Sequence, residues 1–417
     1  MPQPRQRIVF CDCLDCVEQP PTTDLPSSAS PANEAAARQE PPPKCLLFVL
    51  SGALVARAGP QPPGGGDRGG GDGGGDTDTL LDGLALPHLH RAAAQGNLCL
   101  LTQRAGAGAD CVSELAQLLG AYDERARGEP PASLADRFKG MAASCASNSA
   151  AARELAAACG LSSSSVLEPE AAESGAAVEA ADGDAAAGGG PLGALAGSSG
   201  GGHRARRAAA AGAGAADLQL PDPAEAARRV LAELGLQQAA AGLDMLVVHV
   251  DAAQPAAQEA AQAAQAAQAA QAAQQAAAAA LAWLDRTLRY LNNSTAFKDI
   301  VLLAVVATPG AAGPLPAVPP MLADRGGAPL RPAGAPAGAP VLRPLQSWEQ
   351  LGGAALAVDA ARPMLCLRRL PGVIRRDACA RFTLRECCAA SGGLGLVADR
   401  LLPEVAYKLG RAPKYGA

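Results

Sequence analysis

The residues best suited to metal binding or nucleophilic chemistry in this 417-residue chain are four histidines, His88, His90, His203 and His249, and twelve cysteines. Cys11, Cys13 and Cys16 form a C-x-C-x-x-C run with Cys45 as a distant fourth. Structural zinc sites usually come from two close ligand pairs, so this run reads either as an incomplete zinc site or as the cysteine-rich end of an exposed first strand. His88 and His90 flank Leu89 near a helix start, where a surface or capping role fits. His249 sits in an apolar strand and reads as a buried, hydrogen-bonded imidazole. His203 lies in the basic run His203–Arg207. Asp110, Cys111 and Ser113 stand together at the start of a helical pattern, where a thiol or hydroxyl could be activated and where Asp110 equally suits the helix cap. Arg368, Arg369, Arg375 and Arg376 surround Pro371-Gly372, a cluster that could face a phosphate or an acidic partner, or be a solvated loop. Gly64–Gly75 interleaves aspartates and is not followed by Lys-Ser/Thr, so no phosphate loop is indicated.

Positioning such groups falls to elements that alternate in type. Apolar runs with strand character are Lys44–Ser51, Asn97–Thr102, Gly140–Ser147, Leu243–Val250, Asp299–Ala307 and Pro363–Arg369. Helical patterns cover Leu84–Gln95, Val112–Ala121, Ser149–Cys159, Pro223–Gln237, Ala276–Leu291 and Asp399–Gly410. Asn148 and Asp222 suit N-caps, the second being followed by Pro at the first helical position. Strands this continuous in apolar residues belong in a sheet covered on both faces. The expected fold is α/β, doubly wound, with a mostly parallel sheet and helices on both faces.

Much of the chain lies outside these elements. Apolar residues make up 49% but aromatics only 3%, so alanine carries the count and the core is short for the length. Residues 1–43 read as a largely disordered N-terminal segment. A single domain over 44–417 is expected, with disordered insertions at 60–78, 168–220, 252–275 and 309–340. The repeated Ala-Ala-Gln of 252–280 can be helical, but a three-residue step drifts by about 60° per repeat and leaves no fixed apolar face. Thirty-five Lys+Arg against forty Asp+Glu gives a formal charge of −5, which disfavours nucleic-acid binding. No run reaches the ~18 apolar residues of a membrane span, and no secretory signal precedes the first strand. A cytoplasmic protein with reduced thiols is expected, with Arg5 and Arg7 leaving organelle targeting open.

The C-terminal stretch is the most specific: Gly392-Gly393-Leu394-Gly395, Leu401-Leu402-Pro403, and Ala412-Pro413-Lys414-Tyr415-Gly416-Ala417. It resembles the C-terminus of the archaeal-type cofactor-independent phosphoglycerate mutases of the alkaline-phosphatase superfamily, with their Gly-Gly-Leu-Gly turn, Leu-Met-Pro helix start and Lys-Phe-Gly-Ala ending. Other pieces follow in the family's order and together span about half the chain. Leu86-Pro87-His88-Leu89 resembles its Thr-Pro-Asn-Leu helix, and Gly108-Ala109-Asp110-Cys111 with Leu118-Leu119-Gly120-Ala121-Tyr122-Asp123 resembles Gly-Ser-Asp-Thr…Leu-Leu-Gly-Tyr-Asp. Lys139-Gly140 and Cys159-Gly160-Leu161 resemble its Lys-Gly-Ala strand and Ala-Gly-Met helix end, and Val247-Val248-His249-Val250 its Phe-Val-His-Val strand. Degenerate relatives of this kind occur in plants and green algae.

The resemblance implies a serine nucleophile beside two divalent metals, usually Mn²⁺, and glycolytic chemistry. Carried over residue by residue, it leaves these positions vacated. The first-strand metal aspartate falls at Ser51 and the nucleophile at Ala109. The Asp-x-x-Gly-His segment falls at Asp251-Ala252-Ala253-Gln254-Pro255, with Gln254 where a ligand is expected. The Gly-Asp-His-Ser-Thr-Pro segment falls at Val305-Val306-Ala307-Thr308-Pro309, where the Asp-His pair is gone and only Thr-Pro remains. The family's phosphoglycerate-gripping domain has only about sixteen residues, between Asp123 and Lys139, in which to fit. The implied reading is a non-catalytic relative that needs no cofactor and binds an unidentified protein or a phosphorylated small molecule, with no nucleic acid or membrane partner. The alternative is an active mutase or a metal-dependent phosphatase with an atypical site using Cys111 or Ser113.

Overall fold

The computed structural model describes residues 42–55, 79–168, 218–237, 242–252, 263–310, 350–351, 354–355, 357–372, 376–377, 379–391 and 395–413. The sheet is built around β1 (Lys44–Ser51), flanked by β5 (Met245–Asp251) and β6 (Val301–Ala307), to both of which it pairs in parallel. Beyond β5 lie β3 (Ala143–Ser147) and β4 (Ser162–Ser163). Beyond β6 lie β9 (Val358–Arg369), β2 (Asn97–Arg104) and β10 (Gly395–Val397). The eight strands run in the order β10-β2-β9-β6-β1-β5-β3-β4, while β7 (Gln350–Leu351) and β8 (Ala354–Ala355) pair separately. All ladders of the large sheet are parallel except those of β9, which is antiparallel to β2 and to β6.

The apolar runs form strands because both sheet faces are covered. Alternate residues of β1 divide between two cores: Leu46, Phe48 and Leu50 enter one, Cys45, Leu47 and Val49 the other. The first core is closed by α2 (Pro87–Gln95), α7 (Pro223–Glu233), α8 (Ala263–Leu291) and α10 (Leu384–Ala390), with shorter α1 (Leu80–Gly83) and α9 (Thr295–Ile300). The second is closed by α3 (Cys111–Leu118), α6 (Ala150–Ala158) and α11 (Leu401–Lys408), with α4 (Tyr122–Ala126) and α5 (Leu134–Arg137) beside them. This is the expected α/β architecture, with a mostly parallel sheet and helices on both faces.

Several expectations change in detail. α8 begins at Ala263, inside the 252–275 stretch expected to be disordered, because alanine favours the helix even before its face docks. Among its described side chains the first buried ones are Ala276 and Ala277, where the glutamine repeat ends. Trp283 then packs edge-on against Phe48, ring centroids 6.4 Å apart, and donates its indole N–H to the carbonyl of Pro221. Asp222 caps α7 as read, accepting from the amides of Ala224 and Glu225. Asn148 does not cap α6; Ser149 holds that position. His88 and His90 lie within α2. The carboxylate of Asp285 on α8 accepts from the amides of His88 and Leu89 at 2.8 Å each, which satisfies the start of a helix whose N-cap is Leu86. The His90 ring accepts the amide of Phe382. Cys11, Cys13, Cys16, the basic run at His203, Gly392–Leu394 and Lys414–Ala417 lie outside the described residues. Among the described residues no helix is long and apolar enough to cross a membrane.

Candidate functional site

In a doubly wound sheet, functional groups gather where parallel strands end at their carboxyl edge. Here β1 ends at Ser51, which is the ladder partner of Asp251 at the end of β5. β6 ends at Ala307, and the next residue, Thr308, donates its amide to the carbonyl of Leu50 and accepts the amide of Leu54 on its own carbonyl. Ser51, Asp251 and Thr308 therefore sit side by side at one edge.

A hydrogen-bonded row links these strand ends. The imidazole of His249, fully buried, lies with Nε2 3.1 Å from the Ser51 hydroxyl and Nδ1 2.7 Å from the Ser147 hydroxyl. Burial pushes its pKa down to about 4, with the charge of Asp251 opposing, so the ring is neutral at pH 7. The Asn148 side chain pairs with both backbone groups of Asp251, accepting its N–H at 2.8 Å and donating to its carbonyl at 3.0 Å. That is what draws Asn148 away from the capping role read for it.

Helix α3 enters this edge from the second core. Asp110 is its N-cap, accepting the Ser113 amide at 2.8 Å and the Ser113 hydroxyl at 2.7 Å. Ala109 precedes the cap and is exposed. Cys111 reaches the Asp251 carboxylate and the Ser149 hydroxyl; burial first, then the Asp251 charge, pushes its thiol up to about 12. One turn on, Glu114 is fully buried and spans to β6. One oxygen accepts the Thr308 hydroxyl, and the other accepts the Gly310 amide at 2.8 Å and lies 3.8 Å from the Arg362 guanidinium. Arg362, on β9, also donates to the Gly310 carbonyl. Burial pushes the Glu114 carboxyl up to about 7, against the two hydrogen bonds and Arg362.

Glu114, Arg362 and Ser147 belong to this site without being marked in the sequence. A single acid in a helical run looks like a solvated face, and nothing local shows Glu114 facing inward. Ala307 ends β6 with its backbone in the ladder, and Gln254 and Arg375 lie outside the described residues. The fold separates arginines that look like one cluster in the sequence. Arg368 and Arg369 are neighbours on a strand and so point to opposite faces. Arg368 pairs with Glu404 of α11. Arg369 donates to the Asn292 side chain and stacks over the Phe297 ring, 5.3 Å from its centroid. Arg376 is exposed. These three arginines do not form one anion-facing surface.

The two divalent cations that the resemblance implies do not fit these residues. Both Glu114 oxygens are taken by protein donors, the His249 nitrogens face hydroxyls, and the Cys111 thiol stays protonated. Among the described residues no three His, Cys, Asp or Glu side chains gather as a metal would require.

No protein-family model matches the sequence, and no curated protein matches it. Among solved structures the chain is similar to the PH0037 protein from Pyrococcus horikoshii, with a TM-score of 0.44 and 12% identity over 90% of this chain and 99% of that one. It is also similar to the lipoteichoic acid synthase LtaP from Listeria monocytogenes, with a TM-score of 0.39 and 10% identity over 89% of this chain and 73% of that one.

Proposed function

We propose that this chain is a non-catalytic relative of the cofactor-independent phosphoglycerate mutases, in the alkaline-phosphatase superfamily. In this reading it works in the cytoplasm, and the carboxyl edge of its sheet serves binding of a protein or a phosphorylated metabolite. The observation that carries this reading is Ser51. It occupies the end of the central strand, where the resemblance expects a metal-binding aspartate, and its hydroxyl is buried against a neutral imidazole. A neutral serine–histidine pair supplies no negative charge to hold a divalent cation.

The groups that an enzyme reading would need are otherwise engaged. Nucleophilic catalysis requires a thiolate, or a hydroxyl beside a base, that a substrate can reach, and the Ser51 hydroxyl beside His249 is fully buried. Cys111 is held in its thiol form by burial and by Asp251. The Ser113 hydroxyl is committed to Asp110, which is itself occupied in capping α3.

Purified full-length protein incubated with Mn²⁺ and 3-phosphoglycerate, or with a generic phosphate ester, is expected to give neither turnover nor stoichiometric bound metal. Turnover abolished by Cys111→Ala or Ser113→Ala would overturn the non-catalytic reading in favour of an atypical mutase or phosphatase.

A further inference from the structure

Cys99 on β2 and Cys366 on β9 are direct partners on an antiparallel ladder. Their side chains project to the same sheet face, and both are fully buried in the second core. Antiparallel partners have Cα atoms about 4.5–5.5 Å apart, within the roughly 4.4–6.8 Å that a disulfide spans. The two thiols are close enough for each to act on the other's acidity. Arg368, paired with Glu404, lies two residues beyond Cys366 on the same face; its charge acts on both sulfurs, and among the described residues its buried Nε has no hydrogen-bond partner.

This environment separates the pair from the seven other described cysteines, whose thiols are pushed up chiefly by burial. The nearby Cys366 thiol, and then the Arg368 charge, push Cys99 down against burial and the charges of Glu404 and Asp377, while Cys366 is pushed up. One sulfur is thus prepared to carry the negative charge and its neighbour to supply the second thiol.

We propose that Cys99 and Cys366 form a redox-active dithiol that closes into a cross-strand disulfide on reaction with a small hydroperoxide. The Cys99 thiolate attacks one oxygen of the hydroperoxide, the O–O bond breaks, and the departing oxygen takes up a proton and leaves as an alcohol, or as water from hydrogen peroxide. The Cys99 sulfenic acid is then attacked by the Cys366 sulfur. The S–S bond forms, and the hydroxyl leaves with the Cys366 proton as water. Two thiols lose two electrons and one hydroperoxide gains them. Access requires local opening, and among the described residues β2 has only the three-residue β10 outside it at the sheet edge. The bond would join the strands that carry Gln103 and Arg362, whose side chain and carbonyl already hydrogen-bond.

The test uses reduced full-length protein treated with hydrogen peroxide while folded, then unfolded in N-ethylmaleimide, digested and mapped by mass spectrometry. A Cys99–Cys366 linked peptide is expected, absent before peroxide and removed by dithiothreitol, with Cys45 and Cys145 recovered as maleimide adducts. Recovery of Cys99 and Cys366 as adducts from peroxide-treated protein, or a link that forms only when peroxide is added in urea, would overturn the proposal. In Cys366→Ala, dimedone is expected to trap the sulfenic acid on Cys99; a folded variant without that adduct overturns the order of steps. If the variant does not fold, the wild-type map decides alone.

Discussion

The carboxylate of Glu114 on α3 accepts the hydroxyl of Thr308 across 194 residues of chain, and through it a helix of the second core is tied to the end of β6. Gly310 and Arg362 complete the contact, so one buried carboxylate is shared by α3, the chain leaving β6 and strand β9. A change of charge on that group therefore acts on all three.

Acidity at this edge has opposing effects on stability. Glu114 is raised from 4.5 to about 7 by burial, so the folded protein keeps a proton that the unfolded chain releases. Its contribution is complete below pH 4.5 and is lost as pH rises through 7. His249 is lowered from 6.5 to about 4 by burial, so its contribution is complete above pH 6.5 and is lost as pH falls through 4. Each is worth about 3 kcal/mol at 1.36 kcal/mol per unit of pKa. Urea unfolding of the wild type is therefore expected to vary little between pH 4.5 and 6.5. Glu114→Gln is expected to gain stability with rising pH over that window, and His249→Gln to lose it. Parallel slopes in the two variants would refute the assignment.

Thr308→Val removes the hydroxyl donor while keeping the side chain's shape. A buried acceptor losing one partner costs about 1–3 kcal/mol. The hydroxyl also favours the charged carboxylate, so without it the Glu114 pKa rises further and the loss is expected to be larger at pH 8 than at pH 5. Thr308→Ser is expected to restore most of it, measured by urea unfolding at both pH values.

How much of this was legible in the sequence depends on how local each cause is. The strands β1, β5 and β6 announce themselves as continuous apolar runs, and Asp110 and Asp222 as caps, because the residues that decide these features are adjacent. The reversed direction of β9 is not legible, since an apolar run reads the same either way along the sheet. Arg368 and Arg369 look like a cluster in sequence, but a strand's alternation sends one to Glu404 and the other to Phe297. Asn148 looks like a cap and instead pairs with Asp251, 103 residues away. Ser51 and His249 were legible as positions, and their mutual hydrogen bond follows only from the adjacent ladder of β1 and β5.

Asp285 offers a test of how α8 holds the first core. Its carboxylate is the acceptor for the first amides of α2, where the N-cap residue is an apolar leucine with nothing to offer. Asp285→Ala is expected to cost about 2 kcal/mol, as for a lost charged cap. Asp285→Asn keeps an acceptor oxygen and is expected to cost about half as much by the same reasoning. Thermal unfolding of the two variants gives the order; equal losses would mean that the carboxylate's charge adds nothing to the cap.

Gly310 tests how tightly the strand ends are packed around the site. It has φ of +58°, and a Cβ there would lie 2.6 Å from the amide nitrogen and 2.7 Å from the Cα of Gly52. Both obstacles are backbone, so neither can rotate aside. Left-handed backbone costs a residue with a Cβ roughly 1–2 kcal/mol, and overpacking adds about 1–3 kcal/mol. Gly310→Ala is therefore expected to destabilise the fold by at least ~2 kcal/mol. It should also disturb Glu114, whose carboxylate accepts the Gly310 amide; weakening that bond removes a donor that favours the charged form. The variant's stability should then fall more steeply than the wild type's as pH rises toward 8. A Gly310→Ala protein with unchanged urea midpoint and unchanged pH profile would mean that the chain after β6 does not press against the end of β1.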